Sequence, residues 1–87
     1  MKKIQLLILK SCPFCIQALD WQNKIINENP KFNDIPIETI DEGEQPELAD
    51  SYDYYYVPTY YVDGIKLHEG VATREKIEKV FLAALND

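Results

Sequence analysis

Hydrophobic and polar positions change their period several times along this chain, and each change is punctuated. Ile4 to Leu9 is a nearly continuous apolar run broken only by Gln5, the pattern of a strand covered on both faces and placed at the centre of a sheet. From Pro13 to Asn29, Phe14, Ala18, Trp21 and Ile25 recur at spacings of three and four, with Cys15, Leu19 and Ile26 beside them. That spacing predicts a first helix, and Pro30 supplies its stop. In "DIPIETI" the isoleucines 35, 37 and 40 alternate with polar residues, and Pro36, which has no N–H to give to a ladder, suits an edge strand. "EQPELADSY" reads as a short helix with Pro46 in its first turn and acidic residues around its positive end. In "VPTYYVDGIKLHE", Asp63 and Gly64 form a favoured two-residue turn between β-branched and aromatic runs, so an antiparallel hairpin is expected. Thr73 can cap a last helix in which Ile77, Val80, Phe81, Ala84 and Leu85 keep the helical spacing. The order is β α β α β β α, with no repeats, linkers or low-complexity tracts, so residues 1–87 are expected to form one α/β domain with helices on both faces of a mixed sheet.

Composition narrows the classes of function. A chain of 87 residues that is 46% hydrophobic can bury one small core. Fifteen acidic against nine basic residues give a formal charge of −6, which repels polyphosphate and leaves no basic stripe for nucleic acid to follow. No nucleic-acid partner is expected. The opening "MKKIQLLIL" is similar to the start of a secretory signal, but its apolar part is short, meets Lys10 and lacks a small-residue cleavage site. It reads as the first strand. No apolar segment approaches the roughly 20 residues that span a bilayer, so no membrane association is expected and a soluble, cytoplasmic protein is.

The remaining candidate chemistry is "KSCPFC", which holds the only two cysteines, Cys12 and Cys15. A bond between residues so close in sequence closes a tiny loop and constrains the unfolded chain little, so it would be chemical rather than architectural. Cys12 falls just past a central strand and at the start of a helix, with Pro13 in the position that prolines favour. Unpaired N–H groups and the positive end of the helix dipole stabilise a thiolate there. Cys12 is therefore the expected nucleophile. Cys15, one turn further in, can attack a mixed disulfide on Cys12 and release the product, and Lys10 can add positive charge nearby. Two duller readings stand beside this one. The cysteines could be buried and inert, or they could be half of a zinc or iron–sulfur site in a dimeric, non-catalytic carrier, because His68 is the only histidine and there is no third cysteine. His68 itself is expected to be a surface or packing residue, the strand tyrosines to cover the sheet, with only Tyr56 a site candidate, and the acidic run Asp41 to Asp53 to be a solvated face.

CxxC after a first strand, "VPT" before a hairpin and a glycine, Gly70, before a final helix together resemble the thioredoxin and glutaredoxin superfamily over essentially the whole chain. The resemblance implies a thioredoxin fold and a thiol–disulfide oxidoreductase. In that family the proline of the second motif is cis and lies against the dithiol, so Tyr56, Val57, Pro58, Thr59 and Gly70 would form the substrate-docking edge, with Val57 pairing to an extended substrate as an added strand. Lys10, Ser11, Pro13 and Phe14 would support the cysteines. "CPFC" is similar to the glutaredoxin CPYC. Glutaredoxins, however, hold glutathione with a lysine three residues before the first cysteine, a threonine before the valine–proline pair and aspartates near the last helix. Here Lys10 is two residues before Cys12, Tyr56 takes the threonine position and "EGVATRE" lacks the aspartates. The implied protein binds no cofactor or metal and acts as a monomer on disulfides of proteins or small molecules. Its electron donor would be a reductase or partner protein, with glutathione as the other source, and reduction is the expected direction in a reducing cytosol.

Overall fold

The computed structural model describes residues 1–86. Its elements follow the expected order: β1 (Ile4–Ile8), α1 (Pro13–Glu28), β2 (Ile37–Asp41), α2 (Pro46–Asp50), β3 (Thr59–Val62), β4 (Ile65–Glu69) and α3 (Arg74–Leu85). The strands form one sheet in the order β2-β1-β3-β4. β1 pairs parallel to β2 and antiparallel to β3, and β3 pairs antiparallel to β4. The chain thus has an α/β thioredoxin-like fold with a mixed four-stranded sheet.

Side-chain alternation explains why β1 is central. Ile4, Leu6 and Ile8 point to one face and join Tyr60 and Val62 of β3 under α1 and α3. Leu7 points to the other face and meets Ile40, Ala49 and Tyr61. A strand buried on both sides has no need of polar alternation. Pro36 lies immediately before β2, an edge strand, and contributes only its carbonyl, which accepts the Ile4 N–H at 2.9 Å. At the hairpin, Asp63 and Gly64 adopt φ of 50° and 80°, the left-handed geometry that a tight two-residue connection needs.

The two faces are covered unequally. α1 and α3 lie over the larger cluster, where Phe32 and Phe81 meet edge to face with centroids 5.5 Å apart. α2 has only five residues, so tyrosines complete the second face, and Tyr52 packs on Tyr61 with ring centroids 5.0 Å apart. Thr73 caps α3 by accepting the Lys76 N–H at 3.3 Å. Among the described residues, no helix is long and apolar enough to cross a membrane.

Three local expectations need correction. The buried face of α1 is Cys15, Ala18, Gln22 and Ile25, so Phe14 lies off it and is 50% exposed. Gln22 is buried because its Oε1 accepts the hydroxyl of Tyr60 at 2.9 Å across the helix–sheet interface. After α1 the chain makes a 3₁₀ turn, Pro30–Phe32, that buries Phe32 under α3, and Ile35 is buried in the loop ahead of β2. The acidic run is also not uniformly solvated, since Asp41 at the end of β2 is 7% exposed and bonded to the backbone of two loops.

The Gln22–Tyr60 bond gives a stability prediction. Tyr60→Phe leaves the Gln22 oxygen buried without a donor and should cost about 1–3 kcal/mol, read as a lower urea midpoint. Adding Gln22→Leu removes the orphaned acceptor and should recover part of that loss.

Candidate functional site

The turn from β1 into α1 is held by three backbone contacts. The Cys12 N–H donates to the Leu9 carbonyl at 2.9 Å, the Leu9 N–H points at the Cys15 sulfur with N···Sγ 3.4 Å, and the Cys15 N–H donates to the Cys12 carbonyl at 3.0 Å. Leu9 therefore tethers both cysteines to the end of the central strand. Asp41 clamps the same turn from the neighbouring strand. Its Oδ2 accepts the Lys10 N–H at 3.2 Å, and its Oδ1 accepts those of Gly43 at 2.8 Å and Glu44 at 3.3 Å. Sequence reasoning missed this role. The signal was an aspartate ending a strand just before a glycine turn, the residue type that bonds nearby backbone N–H groups.

Cys12 occupies the N-cap of α1 with Pro13 at the first helical position, and it approaches Cys15 to 3.8 Å. Cys12 is partly exposed, whereas Cys15 is buried. This difference sets their proton affinities apart. The N–H of Cys15 stabilises a thiolate on Cys12, against partial burial, and the N–H of Phe14 adds to it, so the Cys12 pKa falls below the ordinary 9.0. Burial pushes the Cys15 thiol up to about 11, against the Leu9 N–H that favours its thiolate. The neighbouring charge that acts on both sulfurs is the carboxylate of Glu42, and it raises both values. The Lys10 ammonium, expected to favour a thiolate, is bonded instead to Glu44 at the surface. Ser11 and Pro13 are exposed beside the sulfur.

The second motif is carried to the same end of the sheet by strand register. Thr59 pairs with Leu7, so Pro58 falls level with Ile8, where the Cys12 turn begins. The Val57–Pro58 peptide is cis. Pro58 and Thr59 are buried, and Val57 packs against both clusters, the larger of which Cys12 also touches. The N–H and carbonyl of Val57 take no part in a hydrogen bond among the described residues.

Comparison with protein-family models and with curated proteins finds no match to this chain.

Glu69, at the end of β4, holds the loop that precedes β3 in place. Its Oε2 accepts the N–H groups of Tyr55 and Tyr56, the latter at 2.9 Å, while Oε1 takes the Lys66 ammonium at 2.8 Å. The adjacent Gly70, at φ 91°, donates its N–H to the Pro58 carbonyl at 2.9 Å. The Thr59 hydroxyl closes the loop onto the Tyr56 carbonyl. The sequence carried no sign of the Glu69 role, which depends on a loop 13 residues away. Tyr56 is 70% exposed, and the His68 Nε2 lies 3.1 Å from the Gly70 carbonyl and 3.0 Å from that of Val71. No group of three or more His, Cys, Asp or Glu among the described residues is placed to hold a metal ion.

Two pH responses follow. Thiolate is the form that alkylates, so the rate at which iodoacetamide modifies Cys12 should rise with pH with a midpoint below the ordinary 9.0, while that of Cys15 should rise with a midpoint of about 11. Mass mapping of the alkylated peptides reads this directly. Glu69 is held down to about 2, first by the Lys66 ammonium and then by the N–H groups of Tyr55 and Tyr56, below its ordinary 4.5. A depressed carboxyl stabilises the fold fully above its unfolded value and loses that contribution as pH falls through the folded one. The destabilisation caused by Glu69→Gln in urea at neutral pH should therefore shrink below pH 4.5 and vanish near about 2.

Proposed function

We propose that the protein is a thiol–disulfide oxidoreductase that reduces disulfides through Cys12 and Cys15. The observation that carries this reading is one pair of cysteines 3.8 Å apart whose proton affinities are driven in opposite directions by the start of α1 and by burial. Reduction needs one sulfur ionised and reachable and a second that stays protonated until it is wanted. The lowered pKa of the partly exposed Cys12 and the raised pKa of the buried Cys15 support that division.

The reaction runs in two exchanges. The Cys12 thiolate attacks one sulfur of the substrate disulfide; that S–S bond breaks, its other sulfur leaves as a thiolate and takes a proton, and a mixed disulfide joins Cys12 to substrate. Cys15 then loses its proton and attacks Cys12 Sγ. The mixed disulfide breaks, the second substrate sulfur leaves and is protonated, and an intramolecular Cys12–Cys15 disulfide remains. Two electrons have passed from the protein dithiol to the substrate. An external dithiol restores the starting state by the reverse exchanges.

The free N–H and carbonyl of Val57 support an extended polypeptide as substrate, because they can pair with a strand laid across the cysteines. The exposed Phe14, Ile16 and Val71 offer apolar contact at the surface. We assign re-reduction to a reductase or partner protein in preference to glutathione. Glutathione is an anion, the charge acting on Cys12 is the Glu42 carboxylate, and Lys10 is engaged by Glu44. A cytoplasmic setting belongs to this proposal, since its reducing poise favours the dithiol form.

Variants of the two cysteines test the assignment. Cys12→Ser should abolish reduction of insulin disulfides in a coupled NADPH assay with thioredoxin reductase. Cys15→Ser should accumulate a covalent adduct with substrate, seen by mass spectrometry and released by dithiothreitol. Equal activity in the two variants would overturn the division of labour between attacking and resolving sulfur.

A further inference from the structure

Beside the dithiol lies a cleft of about 340 Å³ that neither exchange uses. Its apolar walls are Leu9, Pro46 and Ala49, and its polar groups are Glu42, Asp50 and Tyr54. Leu9 places the cleft next to the chemistry, since its N–H points at the Cys15 sulfur and its carbonyl holds the Cys12 N–H. Glu42 is half-buried and close enough for its charge to act on both sulfurs. Tyr54 fixes this carboxylate by donating its hydroxyl to Oε2 at 2.6 Å.

The cleft lacks a positive partner. No lysine or arginine among the described residues pairs with Glu42 or Asp50; Lys10 is taken by Glu44, and Lys66 by Glu69. Two carboxylates on one cleft, the half-buried Glu42 and the exposed Asp50, with no counter-charge paired to either, give it a negative potential that attracts a cation. Apolar walls leading to carboxylates match one kind of side chain, a long aliphatic stem that ends in a cation. The volume lies at the small end of the range for ligand clefts, about 300–1,000 Å³, and suits one residue rather than a whole small molecule. The unpaired backbone of Val57 can hold the polypeptide that carries it.

We infer that this cleft takes a lysine or arginine side chain of a disulfide-bearing polypeptide substrate, so that the protein selects cationic targets. This inference rests on the thiol–disulfide chemistry proposed above. In binding, the aliphatic stem lies on Leu9, Pro46 and Ala49 and the cation meets Glu42 and Asp50. The same carboxylates repel acidic substrates.

The test is a single-turnover reaction of the reduced protein with a peptide series. Each peptide carries one cysteine as a mixed disulfide with 2-thiopyridine, and either Lys, norleucine or Glu at one to four residues to either side of it. Attack by Cys12 releases thiopyridone, and attack by Cys15 then releases the peptide thiol. At the best position, Lys should react about tenfold faster than Glu at low salt, with norleucine between, and the ratio should fall to about twofold or less at 1 M salt. Asp50→Lys, at the exposed end of α2 where a cation is tolerated, should bring the Lys-to-Glu ratio to about one or below. Asp34→Lys changes the net charge equally at an exposed site before β2 and should leave the preference in place. Equal rates across the series would overturn the cleft assignment and leave the oxidoreductase reading standing. A preference that survives Asp50→Lys would overturn it too, assigning the selectivity to the overall charge of −6. Failure of every peptide to react would overturn both.

Discussion

The site depends on one constraint: the chain must leave the central strand β1 and enter α1 within four residues, between Ile8 and Pro13. Leu9 is the pivot. Its backbone satisfies Cys12 on one side and Cys15 on the other, so the strand end fixes both sulfurs before any side-chain packing is considered. Because β1 is covered on both faces, this turn cannot drift without disturbing the core. The helix then assigns the two residues opposite environments. Position one of the pair meets free N–H groups at the surface, and position two is carried one turn inward against the sheet.

The rest of the site is attached to that turn from its neighbours. On the β2 side, the buried Asp41 carboxylate collects three backbone N–H groups and ties the Cys12 turn to the loop before α2. On the β3 side, antiparallel register brings Pro58 level with the end of β1, and Glu69 at the end of β4 and Gly70 just after it hold the loop before β3. All four strands therefore contribute to one end of the sheet. Backbone N–H groups dominate these contacts, which gives precise placement with few charged side chains near the sulfurs.

Charge near the dithiol runs against the simplest expectation for a reactive thiol. A carboxylate, Glu42, acts on both cysteines, and it opposes their ionisation. The net lowering at Cys12 comes chiefly from the helix N-terminus, through the N–H groups of Cys15 and Phe14. Local dipoles at hydrogen-bond distance outweigh a charge further off because the latter is screened by the solvent that reaches this half-exposed edge. The lowering at Cys12 is thus achieved by backbone dipoles in an acidic environment that opposes it.

Much of this was legible in the chain. Periodicity and its punctuation give the four strands and three α-helices, though not the 3₁₀ turn at Pro30–Phe32, because apolar spacing, Pro30, Pro46, Thr73 and the Asp63–Gly64 turn are local signals. The spacing of Cys12 and Cys15 places them at a helix start for the same reason. What the sequence could not give are facts that need two distant segments at once. Gln22 looks like a surface residue until Tyr60 arrives across the sheet, Asp41 looks solvated until the Lys10 loop folds over it, and Lys10 looks like a partner for Cys12 until Glu44 takes it. Polar burial and ion pairing are decided by which partners tertiary packing delivers, and no one-dimensional pattern encodes that choice.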